Sequence, residues 1–182
     1  MELIAPLRTA EGLAERILKV NHAGEHGAVN IYAGQRLIAK VTSRRLLPEL
    51  AEFQSHELKH RAVFQAELQR RGVRRCRSYL LCGVGGYTLG IFTALFGRSA
   101  IAATTIAVER VVLRHLERQL DELRGVDDAA ANAISSIVQE EQQHHDSSAA
   151  HIQGWASAFW FRLLTPVVAA STETVIWLGM RL

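Results

Sequence analysis

Glu57 and His60 stand three residues apart in the run SHELKH, and Glu141 and His144 stand three apart in EEQQHHD. On a helix that spacing leaves two side chains about 60° apart on one face and one turn along, close enough to share a metal ion. Each pair has a single glutamate 32 residues upstream, Glu25 and Glu109, so the whole pattern recurs at an offset of 84 residues although almost nothing else matches between the halves. Four carboxylates and two neutral imidazoles can offset the charge of two adjacent divalent ions and bridge them. Oxygen and nitrogen donors of this kind favour iron or manganese over softer metals. Without metal, four glutamates in one core would strand charge in low dielectric or be forced to take up protons.

The surroundings of the single glutamates favour that reading over a solvated surface. Glu25 lies in NHAGEHGAVNIYAGQ, where Ala23, Gly24, Gly27 and Ala28 allow close backbone approach. Glu109 follows the uncharged run SAIAATTIAV, and a carboxylate on a buried stretch is rare unless paired or bound to metal. Glu140 and His145 fall within a helical face width of Glu141 and His144 and are alternatives to them. His22, His26, His56, His115 and His151 read as packing, supporting or surface residues, with His115, six residues after Glu109, the best placed to support a ligand from behind. A rival motif overlaps the site: His56, Glu57 and His60 spell H-E-x-x-H, in which two histidines hold zinc and the glutamate is the general base of a peptidase. That reading leaves Glu25, Glu109, Glu141 and His144 without a task.

The elements that must position these residues are helices. The 182 residues are 48% hydrophobic with three prolines, a composition suited to one largely helical domain spanning 1–182. Helical signals cover about 11–41, 46–72, 79–97, 98–125, 127–151 and 155–180. Pro48 suits a first turn, Gly72 and Gly97 suit helix ends, and Gly125 before Asp127 and Asp128 reads as a stop followed by an N-cap. A Glu from each of two helices with Glu-x-x-His from two others is the ligand plan of ferritin-like di-iron and di-manganese bundles. The expected fold is therefore all-α, a ferritin-like four-helix bundle with two additional apolar, membrane-facing helices, at about 78–108 and 155–180.

HAGE with IYAGQ just after it, the Glu-x-x-His of the second helix, AVE and EEQQHHD together resemble the demethoxyubiquinone hydroxylases of ubiquinone biosynthesis, from about residue 16 to the C-terminus. All six ligand positions of that family have matching residues, in order: Glu25, Glu57, His60, Glu109, Glu141 and His144. The resemblance implies a di-iron monooxygenase with two iron ions and O2 as co-substrate, reduced by NADH or by the quinol, that hydroxylates the ring of a polyprenylated demethoxyquinone or quinol. Asn21, His26, Arg110 and Leu116 depart from residues common in the family. GVGGYTLG lacks the spacing and context of a dinucleotide-binding fingerprint.

A greasy isoprenoid substrate gives the apolar segments a purpose. Ser78 to Gly97 is an uncharged run of 20 residues, yet three ligands precede it and three follow it, so a single crossing would separate them; interfacial attachment fits better. Trp155, Phe159, Trp160 and Trp177 could add an aromatic membrane edge or close the bundle. Arg70, Arg71, Arg74, Arg75 and Arg77 beside the apolar run suit anionic headgroups, and without interleaved aromatics they do not read as a nucleic-acid surface. Gly83, Gly85, Gly86 and Gly90 would admit a lipid tail, a partner helix or a neighbouring helix of the same chain, so a homodimer or a ubiquinone-biosynthesis partner could cover the 78–108 face instead. Cys76 and Cys82 lack metal-site spacing and fit a reducing compartment, and the first residues resemble neither a signal nor a transit peptide. The expected location is peripheral, on the cytoplasmic face of a bacterial membrane or the matrix face of the inner mitochondrial membrane. The remaining classes are an iron-storage module, which the apolar segments oppose, and a non-catalytic iron-binding membrane-associated protein.

Overall fold

The computed structural model describes residues 4–152 and 154–181, and the elements among them are helical throughout. They are α1 (Ile4–Thr42), α2 (Leu47–Arg70), α3 (Tyr79–Leu95), α4 (Arg98–Leu123), α5 (Asp128–Ser135), α6 (Val138–Ala149) and α7 (Gly154–Gly179), with a short 3-10 turn at Arg44–Leu46 before α2. The punctuation read from the sequence falls where expected. Pro48 lies in the first turn of α2, where its missing N–H has no helical partner to lose. Gly72 and Gly97 both adopt positive φ, +66° and +80°, at the ends of α2 and before α4.

The expected helix over 127–151 is two helices. The Asp127 side chain caps α5 by accepting from the Ala130 N–H at 3.0 Å. The chain then breaks at Ser136 and Ile137. The Ser136 hydroxyl donates to Ala133 O at 2.7 Å, a local bond that competes with the helical ladder, while Ile137 is drawn to 1 % exposure in the core. The break re-aims α6 so that Glu141 and His144 turn inward.

Two apolar plugs enclose the middle of the bundle. One packs Ile17 and Leu18 of α1, Phe64 and Leu68 of α2, Leu116 and Leu120 of α4, and Ile134 of α5. The other packs Tyr32 of α1 and Phe53 of α2 with Leu50, Ala94 and Ile101. On α1, α2 and α4 the candidate ligands fall between the residues given to the two plugs, so apolar side chains seal the centre along the bundle axis.

The packing follows the 84-residue repeat. α2 packs on α1 and α6 on α4, while the apolar α3 lies along α1 and the apolar α7 along α4. The α3 glycines serve that contact within the chain: a Cβ on Gly86 would overlap Gly27 O, and one on Gly90 would overlap Ile31 O. α7 is tied to α4 by Glu173, which accepts from Arg114 Nη2 at 2.9 Å and meets His115 Nε2 at 2.7 Å.

The outward faces of α3 and α7 remain apolar. Leu80, Leu81, Val84, Phe92, Leu95 and Phe96 are exposed on α3 and the residue after it, and Phe159, Leu163, Val167 and Trp177 on α7. Phe96 and Trp160 join the two helices with ring centroids 4.5 Å apart. The side chain of Trp155 lies outside the described residues. Among the described residues no helix is long and apolar enough to cross a membrane.

Replacing Gly90 by Ala is expected to lower the melting midpoint by roughly 2–10 °C, through overpacking worth about 1–3 kcal/mol. Gly85→Ala, where an added methyl meets open space, should leave the midpoint unchanged or raise it slightly. Equal losses in thermal unfolding of both variants would show that backbone contact between α1 and α3 is not what these glycines provide.

Candidate metal centre

Glu25 projects from the middle of α1, Glu57 and His60 from α2, Glu109 from α4, and Glu141 and His144 from α6. All six are at most 5 % exposed. Their side chains converge into two groups of four, each compact enough to hold one ion: Glu25, Glu57, His60 and Glu141, and Glu57, Glu109, Glu141 and His144. The groups share Glu57 and Glu141. The geometry is therefore that of two adjacent positions, each with one private glutamate, one private histidine and two glutamates in common, and the two positions exchange under the sequence repeat.

The imidazoles present Nδ1 to this cavity. His60 Nδ1 lies 2.9 Å from Glu141 Oε1 and 3.6 Å from Glu57 Oε2, and His144 Nδ1 lies 3.1 Å from Glu57 Oε1. Despite these separations, Glu57 Oε1, Glu141 Oε1 and both Nδ1 atoms are buried without a hydrogen-bond partner, because the approach directions are wrong for an N–H. Lone pairs that converge without bonding to each other are the arrangement a cation would satisfy, so the donor set fits divalent metal.

Each imidazole is held from behind at Nε2. Glu140 Oε2 stands 2.7 Å from His60 Nε2, and His56 Nδ1 stands 3.0 Å from His144 Nε2. Such partners fix the ring orientation and tautomer of a metal-binding histidine. His56 and Glu140 each directly precede the glutamate of their own Glu-x-x-His pair and are themselves 84 residues apart. Each supports the histidine of the opposite half. The repeat therefore reaches beyond the ligands, a signal that reading the six residues alone passed over.

This geometry decides among the alternatives. Glu140 and His145 do not take the places of Glu141 and His144: Glu140 bonds to His60 outside the cluster, and His145 Nδ1 lies 2.9 Å from Asp146 at the surface. In the H-E-x-x-H run, Glu57 sits inside the cluster and His56 outside both groups, the reverse of what the zinc motif requires. His115 does not support a ligand; it faces Glu173 of α7, because six residues carry it too far around α4. Arg70 and Arg71 are not free for an outside partner, since both bond to Glu67 and Arg71 also grips Asp127 through two bonds of 2.6 and 2.7 Å. Tyr32 was not anticipated from the sequence. Its hydroxyl donates to Glu109 Oε1 at 3.1 Å and fixes that carboxylate.

With no ion between them, the charges redistribute onto protons. Burial, then Glu57 and Glu141, push Glu25 well above the usual carboxylate range. Burial, then Glu141 and Glu57, do the same to Glu109. Burial would raise Glu57 too, but the neighbouring His144 and His60 imidazoles outweigh it and hold the carboxyl at about 2. Burial would lower His60, but Glu141 and Glu57 outweigh it and raise the imidazole to about 10. Cations must displace these protons, so binding releases acid.

A long helical chain with a buried centre of four carboxylates and two imidazoles, doubled about a sequence repeat, belongs to the carboxylate-histidine metalloproteins. Comparison with known proteins narrows that class. Residues 12–179 match the family described as Ubiquinone biosynthesis protein COQ7. The chain is 32% identical over 172 residues to a protein of Dictyostelium discoideum named NADPH-dependent 3-demethoxyubiquinone 3-hydroxylase, mitochondrial, covering 93% of this chain and 77% of the relative. It is 34% identical over 169 residues to the 3-demethoxyubiquinol 3-hydroxylase of Rhodospirillum rubrum, covering 93% and 78%. A human relative with the same name as the Dictyostelium protein is 35% identical over 113 residues, or 62% of this chain and 51% of its own length. The chain belongs to the COQ7 family.

Linkage fixes the sign of the pH response in the metal-free protein. Glu25, Glu109 and His60 titrate higher when folded, so the stability they contribute is full below their unfolded values, near 4.5 and 6.5, and is lost as pH rises through the folded ones. Glu57 titrates lower, so its contribution is present above 4.5 and lost as pH falls toward 2. Calorimetry on chelator-treated protein should give a midpoint that falls between pH 6.5 and 10, and iron should abolish that fall. A midpoint that rises over this range without metal would contradict the assignment.

Proposed function

We propose that the protein is an O2-dependent hydroxylase of ubiquinone biosynthesis that adds a hydroxyl group to the ring of a polyprenylated demethoxyubiquinone or demethoxyubiquinol. The observation that carries this reading is the pair of four-ligand positions sharing Glu57 and Glu141, in a chain of a family whose relatives are named for that hydroxylation. The ligand plan is that of a ferritin-like di-iron bundle. Glu25 and His60 would hold one iron, Glu109 and His144 the other, with Glu57 and Glu141 between them. Bound there, iron would supply the two-electron reduction of O2 that puts one oxygen atom on the ring and releases the other as water.

The chain's own residues supply placement and dryness. Tyr32 keeps Glu109 in register, and its own proton is held firmly, because burial and the Glu109 charge push the phenol well above its ordinary pKa. Phe53 covers His144 with ring centroids 4.4 Å apart and excludes water from that side. Beside Glu109 a small cavity of about 10 Å³ is lined by Ala28, Ile31, Tyr32, Thr105 and Val108. Its Ile31 and Val108 walls continue into the apolar cluster of Leu89, Leu164 and Val168 beneath α3 and α7. A quinol ring would reach the centre between α1 and α4 while its tail lies along these helices. The relatives' names point to a nicotinamide nucleotide, NADPH, as the source of electrons.

The outer faces of α3 and α7 would rest on a lipid surface, as a peripheral attachment. Their exposed apolar side chains stand beside Arg74, Arg75 and Arg77, which precede α3 and are drawn to anionic headgroups.

Two outcomes test these readings. Purified protein should carry about two iron ions per chain, and Glu109→Ala should lose at least one of them together with demethoxyquinol hydroxylation; a single zinc ion with retained hydroxylation would refute the proposal. Separately, Leu81→Glu with Val84→Glu should leave iron content and melting unchanged, abolish flotation with phospholipid vesicles and spare turnover of a short-tailed quinol. Undiminished flotation would remove α3 as the attachment face.

A further inference from the structure

At the end of the bundle where α3 begins, two guanidinium groups converge without a counter-charge. Arg61 of α2 reaches His26, its Nη1 standing 3.2 Å from Nδ1. Arg75, in the segment between α2 and α3, lies 4.6 Å above the Tyr79 ring. Among the described residues neither arginine has a carboxylate within 4 Å, unlike Arg70 and Arg71 nearby. Between them lies a stack of rings: His26 is parallel to Tyr79 at 4.0 Å, and His22 meets the same ring at 4.9 Å. Space for the stack is built in, because a Cβ on Gly83 would stand 2.5 Å from His26 Nε2.

His22 is the unexplained member. It is 4 % exposed, and neither of its ring nitrogens has a hydrogen-bond partner. No carboxylate of the metal centre lies within 4 Å of it, so it is not part of that site. A buried donor without an acceptor is costly, about 1–3 kcal/mol, and two arginines beside it repel one another. One kind of ligand answers all three groups: a tetrahedral oxyanion that accepts from His22 and spans the two guanidiniums.

We propose that Arg61, Arg75 and His22 form a phosphate-binding site, floored by the stacked His26 and Tyr79. Two sources carry this chemistry. The phosphodiester of a lipid headgroup would arrive if the apolar face of α3, which starts at the neighbouring Leu80, meets a bilayer. A soluble phosphate ester, such as the 2′-phosphate of a reduced nicotinamide dinucleotide, would arrive from water.

The test uses the full-length, iron-loaded chain with radiolabelled inorganic phosphate in equilibrium dialysis. Arg61→Gln with Arg75→Gln should weaken phosphate binding roughly tenfold or more, whereas Arg74→Gln with Arg77→Gln, an equal charge change outside the stack, should weaken it less than about twofold. Arg75→Gln alone, at an exposed position, gives the same direction should the double variant fold poorly. Iron content should be unchanged throughout, which separates loss of this site from loss of the metal centre. Displacement of phosphate by phosphatidylglycerol vesicles, but not by phosphatidylcholine ones, assigns the lipid source. Displacement by the 2′-phosphorylated dinucleotide, but not by its unphosphorylated form, assigns the soluble one. Absence of phosphate binding, or equal weakening by both double variants, overturns the proposal.

Discussion

Four glutamates within a few ångströms of one another, sealed from water, are the constraint that the rest of the structure accommodates. Ionised together without a cation they would repel strongly in low dielectric. The fold tolerates them because Glu25 and Glu109 take protons and because His60 and His144 lie against Glu57. A centre of this kind requires stiff walls, since a carboxylate free to swing outward would hydrate. The two apolar plugs, the Phe53 ring and the Tyr32 hydroxyl are those walls.

The second constraint is that α3 must lie against α1 without widening the bundle. Glycine at positions 27, 86 and 90 brings the two backbones into contact, so an apolar helix is added with its inner face fully used and its outer face still greasy. α7 is attached to α4 by other means, through an aromatic contact to Phe96 and the Glu173 pair with Arg114 and His115. Both halves of the repeat thus end in a helix whose outer side has no polar partner within the chain.

Much of this was legible before any coordinates. The residues that meet at the centre could be named from i, i+3 pairs and the 84-residue offset, because helical periodicity converts spacing directly into direction. Helix ends at Gly72, Gly97 and Asp127 were legible for the same local reason. The break at Ser136 was not, because it depends on Ile137 finding a place in a core formed by distant residues. Tyr32 and the true partner of His115 were missed on similar grounds: each is defined by what lies across the bundle, 77 and 58 residues away in the chain. The arginine cluster was over-read, since sequence shows where charges are dense and not that Glu67 and Asp127 neutralise two of them.

The crossing of His56 and Glu140 to opposite halves makes the two positions of the centre unlike. The His60 imidazole leans on a carboxylate, which draws its Nε2 proton and enriches Nδ1; the His144 imidazole leans only on another imidazole. His60 is therefore the stronger Lewis base, and an ion on its side is stabilised in a higher oxidation state than its neighbour. A half-length ancestor that paired with its own copy would have had two identical positions. Joining the copies in one gene allowed position 56 and position 140 to diverge, giving each ion a separate character.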